Sequence, residues 1–223
     1  MEPAVLARRA LGRRHILMLL RLLPAATAAQ GGAGGGGGSA GVDSVVYVVS
    51  ATSRFEVKTG KAGLLGFAGH DHLVRARALW GRIVRYRDTP AASHVTIAVA
   101  TDSLDVVSSP DTAERRQVTD AMRRDVLRAD RYHEITFTSH AVTPTDRGFQ
   151  VQGELTLAGA TRDVIVDVAV AISADTLRAT THFMIKQTDF GIRPYRGGPG
   201  GLVRVADGVT FDIEAIGVAQ PAL

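Results

Sequence analysis

Residues 162–172, RDVIVDVAVAI, carry the clearest strand pattern in this sequence. Every second residue from Val164 to Ile172 is a branched aliphatic residue, while Asp163 and Asp167 fall on the alternate positions. Successive side chains of a β-strand point to opposite faces of the sheet. This period of two therefore predicts a strand with one apolar face and one solvated face.

The same alternation recurs along the rest of the chain and predicts about eight or nine strands. The segments 146–148 and 158–160 are short and contain glycine, so they predict hairpins between antiparallel neighbours. The run 72–87 is long for one strand, and we expect it to bend near Gly81. The alternating runs are 45–49, 53–59, 72–87, 94–101, 134–139, 149–157, 162–172, 176–187 and 209–215.

One segment breaks the pattern of alternation. Residues 111–128, DTAERRQVTDAMRRDVLR, place Val118, Met122 and Val126 four residues apart, which predicts an amphipathic helix. Its N-cap is expected at Asp111 or the residue after it, Thr112. Many antiparallel strands with a single helix predict an all-β closed barrel or a sandwich. About eight strands in an up-and-down barrel enclose an interior that side chains fill or that holds one small ligand.

Charge and composition exclude several classes of function. Residues 1–40 hold five arginines and one glutamate, which account for the whole formal charge of +4. A nucleic-acid interface needs a basic patch with aromatic residues, and neither the neutral body nor the 5% aromatic content supplies one. The chain has no cysteine, which excludes disulfides, thiol catalysis and cysteine-ligated zinc.

The beginning of the chain is expected to direct export. Residues 1–29 combine an arginine-rich start, a short apolar run at 16–23 and the small-residue pattern Ala26-Thr27-Ala28. Residues 30–42 are rich in glycine and predict a flexible linker, so that the folded domain spans 43–220. We expect a periplasmic or secreted protein. A disordered tail on a cytosolic protein is the alternative.

Three strings in this chain resemble motifs of the YceI-like family of periplasmic lipid-binding proteins. They are LRADRYHEITFTS at 127–139, GELTLAGATR at 153–162 and TDFGI at 188–192, in the order and spacing of the family. The resemblance spans about residues 45–218. Two positions depart from the family pattern: His133 stands where proline is usual, and Gln187 stands where a basic residue is common.

The resemblance implies an antiparallel, lipocalin-like barrel with a helix beside its mouth. It also implies a polyisoprenoid or another amphiphilic lipid as the ligand, with no cofactor and no enzymatic activity. A transient contact between the helix arginines and a membrane surface is the alternative to a solvated helix face. The residues expected to line the barrel and its mouth are Phe55, Leu64, Phe67, His70, His72, Ile97, Met122, Phe137, Leu155 and Phe190.

The string His70-Asp71-His72 allows three interpretations. On a strand the two histidines share one face, so they could be structural, contact a ligand head group, or be weak candidates for a shared metal ion. The third interpretation would make the protein a metal-dependent hydrolase. A solid-cored barrel that binds other proteins is a further alternative. The sequence contains none of the common nucleophile or phosphate-binding motifs.

Two loops and the single tryptophan have predictable surroundings. Residues 59–69, TGKAGLLGFAG, are apolar for a loop, and we expect them to fold over the barrel mouth or to pack beneath it. Trp80 is expected in the core. The arginines of the glycine-rich loop 193–201 are expected to be solvated.

Overall fold

The computed structural model describes residues 44–62, 71–197 and 203–221, and twelve strands are found there. The predicted export signal and linker, residues 1–29 and 30–42, lie outside these ranges and stay predictions. Within the described part of the chain, no helix is long and apolar enough to cross a membrane. The strands are β1 Ser44–Val49, β2 Arg54–Ala62, β3 His72–Ala76, β4 Leu79–Tyr86, β5 His94–Ala100, β6 Leu104–Val106, β7 Glu134–Thr145, β8 Gly148–Leu157, β9 Ala160–Ser173, β10 Thr176–Lys186, β11 Arg196–Gly197 and β12 Val203–Ala219.

The strands form a closed antiparallel barrel with eight positions, which confirms the predicted fold class. Three of the eight places around the ring are each occupied by two consecutive strands in line: β1 with β2, β3 with β4, and β5 with β6. The others hold β7, β8, β9, β10 and β12, and β12 closes the ring by pairing with both β1 and β2. The short β11 pairs with β12 beside the ring. Consecutive positions are neighbours throughout, so the barrel has up-and-down topology.

The alternation read from residues 162–172 describes β9 well. Val164, Val166 and Val168 point into the barrel, while Asp163 and Asp167 are exposed outside. Val166 lies opposite the equally buried Val151 of β8. The interior of the barrel is therefore built from the apolar faces that the period of two identifies.

A break divides β3 from β4 at Arg77 and Ala78, so the expected bend near Gly81 was wrong. Gly81 lies within β4, opposite Ile97. The amide of Arg77 donates to the carbonyl of Ser103, and the amide of Ala78 donates to the Ser103 hydroxyl. These bonds replace the ladder bonds that the break removes.

The predicted helix is present as α1, Thr112–Ala121, followed by one π-helical turn at Met122–Val126. Asp111 is the N-cap: its Oδ1 accepts from the amides of Ala113 at 2.7 Å and Glu114 at 3.2 Å. The helix packs on β6, where its buried Thr119 hydroxyl accepts from the amide of Val106. We call this end of the barrel the helix end, and the end that holds Ser44 and Ala219 the far end.

Trp80 is 47% exposed, so its expected place in the core was wrong. Its neighbours Leu79 and Ile83 pack inward, and the alternation of β4 turns the indole to the outer wall. The largest cluster of buried residues instead lies toward the helix end, with Phe55, Leu155 and Phe190 among its members.

Candidate functional site: an apolar cavity inside the barrel

The barrel encloses a cavity of about 710 Å³. That volume lies within the range of about 300–1,000 Å³ that is typical of small-molecule sites. Every strand of the ring except β1 contributes apolar side chains to its wall, and α1 covers the wall at the helix end. The largest of these side chains are Phe55, Ile83, Ile97, Leu104, Met122, Leu127, Ile135, Phe137, Phe149, Leu155, Leu157, Leu177, Phe183, Ile192, Phe211 and Ile213.

Aromatic side chains give part of the wall a fixed shape. The rings of Phe183 on β10 and Phe211 on β12 stack with their centroids 4.9 Å apart and their planes 10° from parallel. Such offset pairs have a preferred geometry and restrict each other's motion. The two residues are inward-facing positions of the predicted strands 176–187 and 209–215, so alternation identifies the face, although it could not identify the stacked pair.

Most of the residues expected to line the barrel that the structure describes do lie on the cavity wall. Phe190 is the exception: it is the last residue of the turn at 187–190, is 3% exposed and packs in the main core cluster. Leu64, Phe67 and His70 lie outside the described residues, as does most of the loop 59–69. The residues on the wall are Phe55, His72, Ile97, Met122, Phe137 and Leu155.

His72 opens β3 opposite Thr59 of β2, and both residues reach the cavity at the helix end. Asp71 is exposed. Within residues 44–62, 71–197 and 203–221, no group of three or more His, Asp or Glu side chains is placed to hold a metal ion. His70 is not among those residues, so the alternative of a metal ion shared by His70 and His72 is untested.

Most polar side chains on the cavity wall lie at its two ends, and the other polar residues of the wall are Glu56, Thr136 and Thr181. Arg85 and Ser93 lie at the far end. The helix end has the larger share: Thr59, His72, Glu114, Gln117, Gln187, Tyr195 and Arg204. An amphiphile in this cavity would place its tail along the middle and its polar head at one end.

Gln187, one of the two departures from the family pattern, is buried at 8% exposure on the cavity wall. Its Nε2 donates a hydrogen bond to the carbonyl of Ala206 at 2.8 Å, which gives the neutral amide a partner. A basic side chain at the same position would bury a positive charge, which costs more free energy. The other departure, His133, is exposed, and its carbonyl accepts from the amide of Thr101 at the entry to β7.

The turn that contains the TDFGI string is fastened to β12 by one carboxylate. Asp207 Oδ1 accepts from the amide of Thr188 at 2.9 Å, and Oδ2 accepts from the Thr188 hydroxyl at 2.7 Å. These hydrogen bonds stabilise the charged form and hold the pKa of Asp207 below its ordinary value. Asp207 thereby helps to position the neighbouring Gln187 on the cavity wall.

Asp207→Asn is expected to lower stability at neutral pH but not in strong acid. The folded protein lowers the pKa of Asp207, so the stabilisation is complete above about pH 4 and is lost as pH falls through the lowered pKa. Urea unfolding of both proteins at pH 7 and near pH 2 measures the difference. Asp189→Asn, which changes an exposed carboxylate of the same turn, is the control. An equal difference at both pH values would contradict this role for the Asp207 charge.

Several charged side chains on the outer wall pair across neighbouring strands. Lys58 Nζ lies 2.8 Å from Asp212 Oδ2, and His182 Nδ1 contacts the other oxygen. Both partners lower the pKa of Asp212, with the hydrogen bond from Lys58 as the main cause.

On the helix, a hydrogen bond to Asp125 raises the pKa of Arg124. The loop arginines Arg193 and Arg196 are exposed, as expected.

Solved structures share this fold at low sequence identity. BcnA of Burkholderia cenocepacia is 20% identical with a TM-score of 0.60, and the match covers 75% of this chain and 98% of that one. A polyisoprenoid binding domain from Saccharophagus degradans is 13% identical with a TM-score of 0.54, covering 78% and 98%. A mutant of the YceI protein of Campylobacter jejuni is 16% identical with a TM-score of 0.53, covering 67% and 85%.

A search of curated proteins finds no match to this chain. A family model does match the sequence. The model of the YceI-like domain matches residues 48–216, which is almost the whole barrel and includes the three strings that suggested the resemblance. The chain therefore belongs to the YceI-like domain family.

Proposed function

We propose that this protein binds an amphiphilic lipid, with a polyisoprenoid as the expected ligand, and carries or stores it. The observation that carries the proposal is the apolar cavity of about 710 Å³ that runs through the barrel. Membership of a binding family supports it, as does the likeness to a Saccharophagus degradans domain described as polyisoprenoid binding. The proposed function is binding without catalysis.

The proposed mechanism is removal of the lipid tail from water. Each buried CH₂ group contributes about 0.8 kcal/mol, so the tail supplies most of the affinity. The polar head would stay at the helix end, where Gln117, Tyr195 and Arg204 offer hydrogen bonds and a positive charge. A lipid with a long apolar tail needs such a carrier to cross an aqueous compartment. Export of the protein to the periplasm, predicted from residues 1–29, would place it in one.

Affinity is expected to rise steeply with the number of isoprene units in the ligand. In the series geraniol, farnesol and geranylgeraniol, each step adds five carbons, and full burial of one unit would contribute up to about 4 kcal/mol. We expect the Kd to fall at least tenfold per step, since losses of ligand freedom offset part of this gain. Calorimetric titration of the delipidated protein measures the Kd of each alcohol.

The heat capacity change of binding supplies a second readout in the same titrations. Burial of apolar surface makes it negative, and it should grow more negative along the series. Equal affinities for the three alcohols, or no binding, would contradict a cavity that accepts the tail. Binding limited to the head group predicts equal affinities, because all three alcohols end in the same hydroxyl.

A further inference from the structure

The barrel wall is hydrogen-bonded along only part of the boundary between β9 and β10. The ladder runs from the pair Thr176 and Ser173 to the pair Thr181 and Val168, and it ends there. Both strands continue beyond that point, β9 back to Ala160 and β10 on to Lys186. On their other sides both remain paired, β9 with β8 and β10 with β12. We call residues 163–167 of β9 and 182–186 of β10 the open seam.

Contacts between β9 and the chain of β10 and its following turn bound the open seam at both ends. At the last ladder pair, the hydroxyl of Thr181 donates to the carbonyl of Asp167 at 2.7 Å. This bond uses a side chain where the ladder would use a backbone amide. At the helix end, the turn at 187–190 contacts β9. The seam is thus a defined interval of the wall and not a frayed strand end.

The outer face of the open seam carries two exposed apolar side chains. Met184 is 67% exposed and Ile165 is 59% exposed, the highest values among the large apolar residues of the described chain. If the register of the ladder continued, Met184 would lie opposite Ile165. Exposed apolar residues grouped on a polar surface mark sites of contact with apolar partners.

The inner face of the open seam lines the cavity. Phe183 on β10 and Val164 and Val166 on β9 all line it. The stretch of wall without ladder bonds therefore has apolar side chains on both its faces. A lipid tail crossing the wall there would meet apolar groups at each step and would break no ladder bond of the seam.

We infer that the open seam is the lateral route by which the lipid tail enters and leaves the barrel, directly from a bilayer surface. This inference rests on the proposed function. The charges of the seam disfavour an anionic surface and leave a zwitterionic one, because Asp163 and Asp167 on β9 outnumber Lys186 on β10 by one negative charge. Met184 and Ile165 would contact the bilayer while the tail passes between the two strands.

A cross-link across the open seam tests the inference, and the absence of native cysteine makes the labelling clean. The double variant Ile165→Cys with Met184→Cys is joined by a short bis-maleimide. The same protein with both cysteines capped by N-ethylmaleimide serves as the uncross-linked reference. The matched control joins Ala169→Cys to Thr180→Cys, an exposed pair in register within the ladder of the same two strands.

The probe is all-trans-retinol, a fluorescent isoprenoid alcohol, loaded in phosphatidylcholine vesicles. We expect the cross-link at 165 and 184 to slow transfer from vesicle to protein at least tenfold. The control cross-link at 169 and 180 should change it less than twofold. Equal transfer rates for the cross-linked and capped forms of the 165/184 variant would overturn the inference while leaving the proposed function intact. A failure of the capped protein to take up retinol at equilibrium would overturn both.

Discussion

Ala179→Phe is expected to reduce the lipid that the protein binds at least tenfold. Ala179 lies on β10 and lines the cavity between the helix end and the far end, opposite Val170 and Ala215 of the neighbouring strands. A phenyl ring at this position would project into the space proposed for the tail and shorten it. A tenfold loss corresponds to about 1.4 kcal/mol, less than the contribution of two buried CH₂ groups. Lipid content after organic extraction and the Kd for geranylgeraniol measure the effect.

Thr180→Phe is the matched control for the cavity variant. Thr180 is the next residue of β10 and is exposed on the outer wall, so the same ring is added without entering the cavity. The control should keep its lipid, and both variants should unfold at urea concentrations close to that of the parent protein. Unchanged lipid content in a folded Ala179→Phe protein would show that the tail does not occupy this part of the barrel.

Gly159→Ala is expected to destabilise the barrel by about 3 kcal/mol. Gly159 has a φ of +81° in the two-residue turn between β8 and β9, where an L-residue loses about 1–2 kcal/mol. An added Cβ would also overlap with Cε1 of Tyr132, so this ring would have to move, which costs about 1–3 kcal/mol more. The guanidinium groups of Arg128 and Arg131 lie over the same ring at 4.9 and 5.4 Å from its centroid. Urea unfolding measures the change.

Gly191→Ala separates the backbone term from the steric term. Gly191 ends the turn at 187–190 with a φ of +69°, and a Cβ there would meet no atom within 4 Å. We therefore expect a loss of about 1 kcal/mol from the backbone conformation alone. Similar losses for the two glycine variants would contradict the contact between Gly159 and Tyr132 as the larger cause.

The fold could be predicted from the sequence because each barrel strand requires alternating apolar and polar residues, and this alternation is visible in the sequence. A strand with one wall inside and one outside must place apolar residues at every second position, and β9 does so from Val164 to Val170. The helix was predictable for the same reason, since its apolar period follows from one buried face. Asp111 could be predicted as its cap from residue type and position.

Other features depend on distances that no local pattern encodes. The break at Arg77 and Ala78 is satisfied by Ser103, 26 and 25 residues away along the chain. Phe190 belongs to a recognisable string, yet only the geometry of its turn decides that it packs in the core instead of lining the cavity. Whether an apolar interior is filled or hollow depends on how the eight positions close. The volume of about 710 Å³ was therefore beyond sequence reasoning.

Native mass spectrometry of the purified protein, followed by organic extraction of the bound species, is the decisive measurement for lipid binding in the barrel. We expect a one-to-one complex with an isoprenoid lipid in the parent protein and in Thr180→Phe, with little or none in Ala179→Phe. A protein that binds no lipid even after incubation with geranylgeraniol would contradict a lipid-binding cavity, as would bound lipid that survives unchanged in Ala179→Phe.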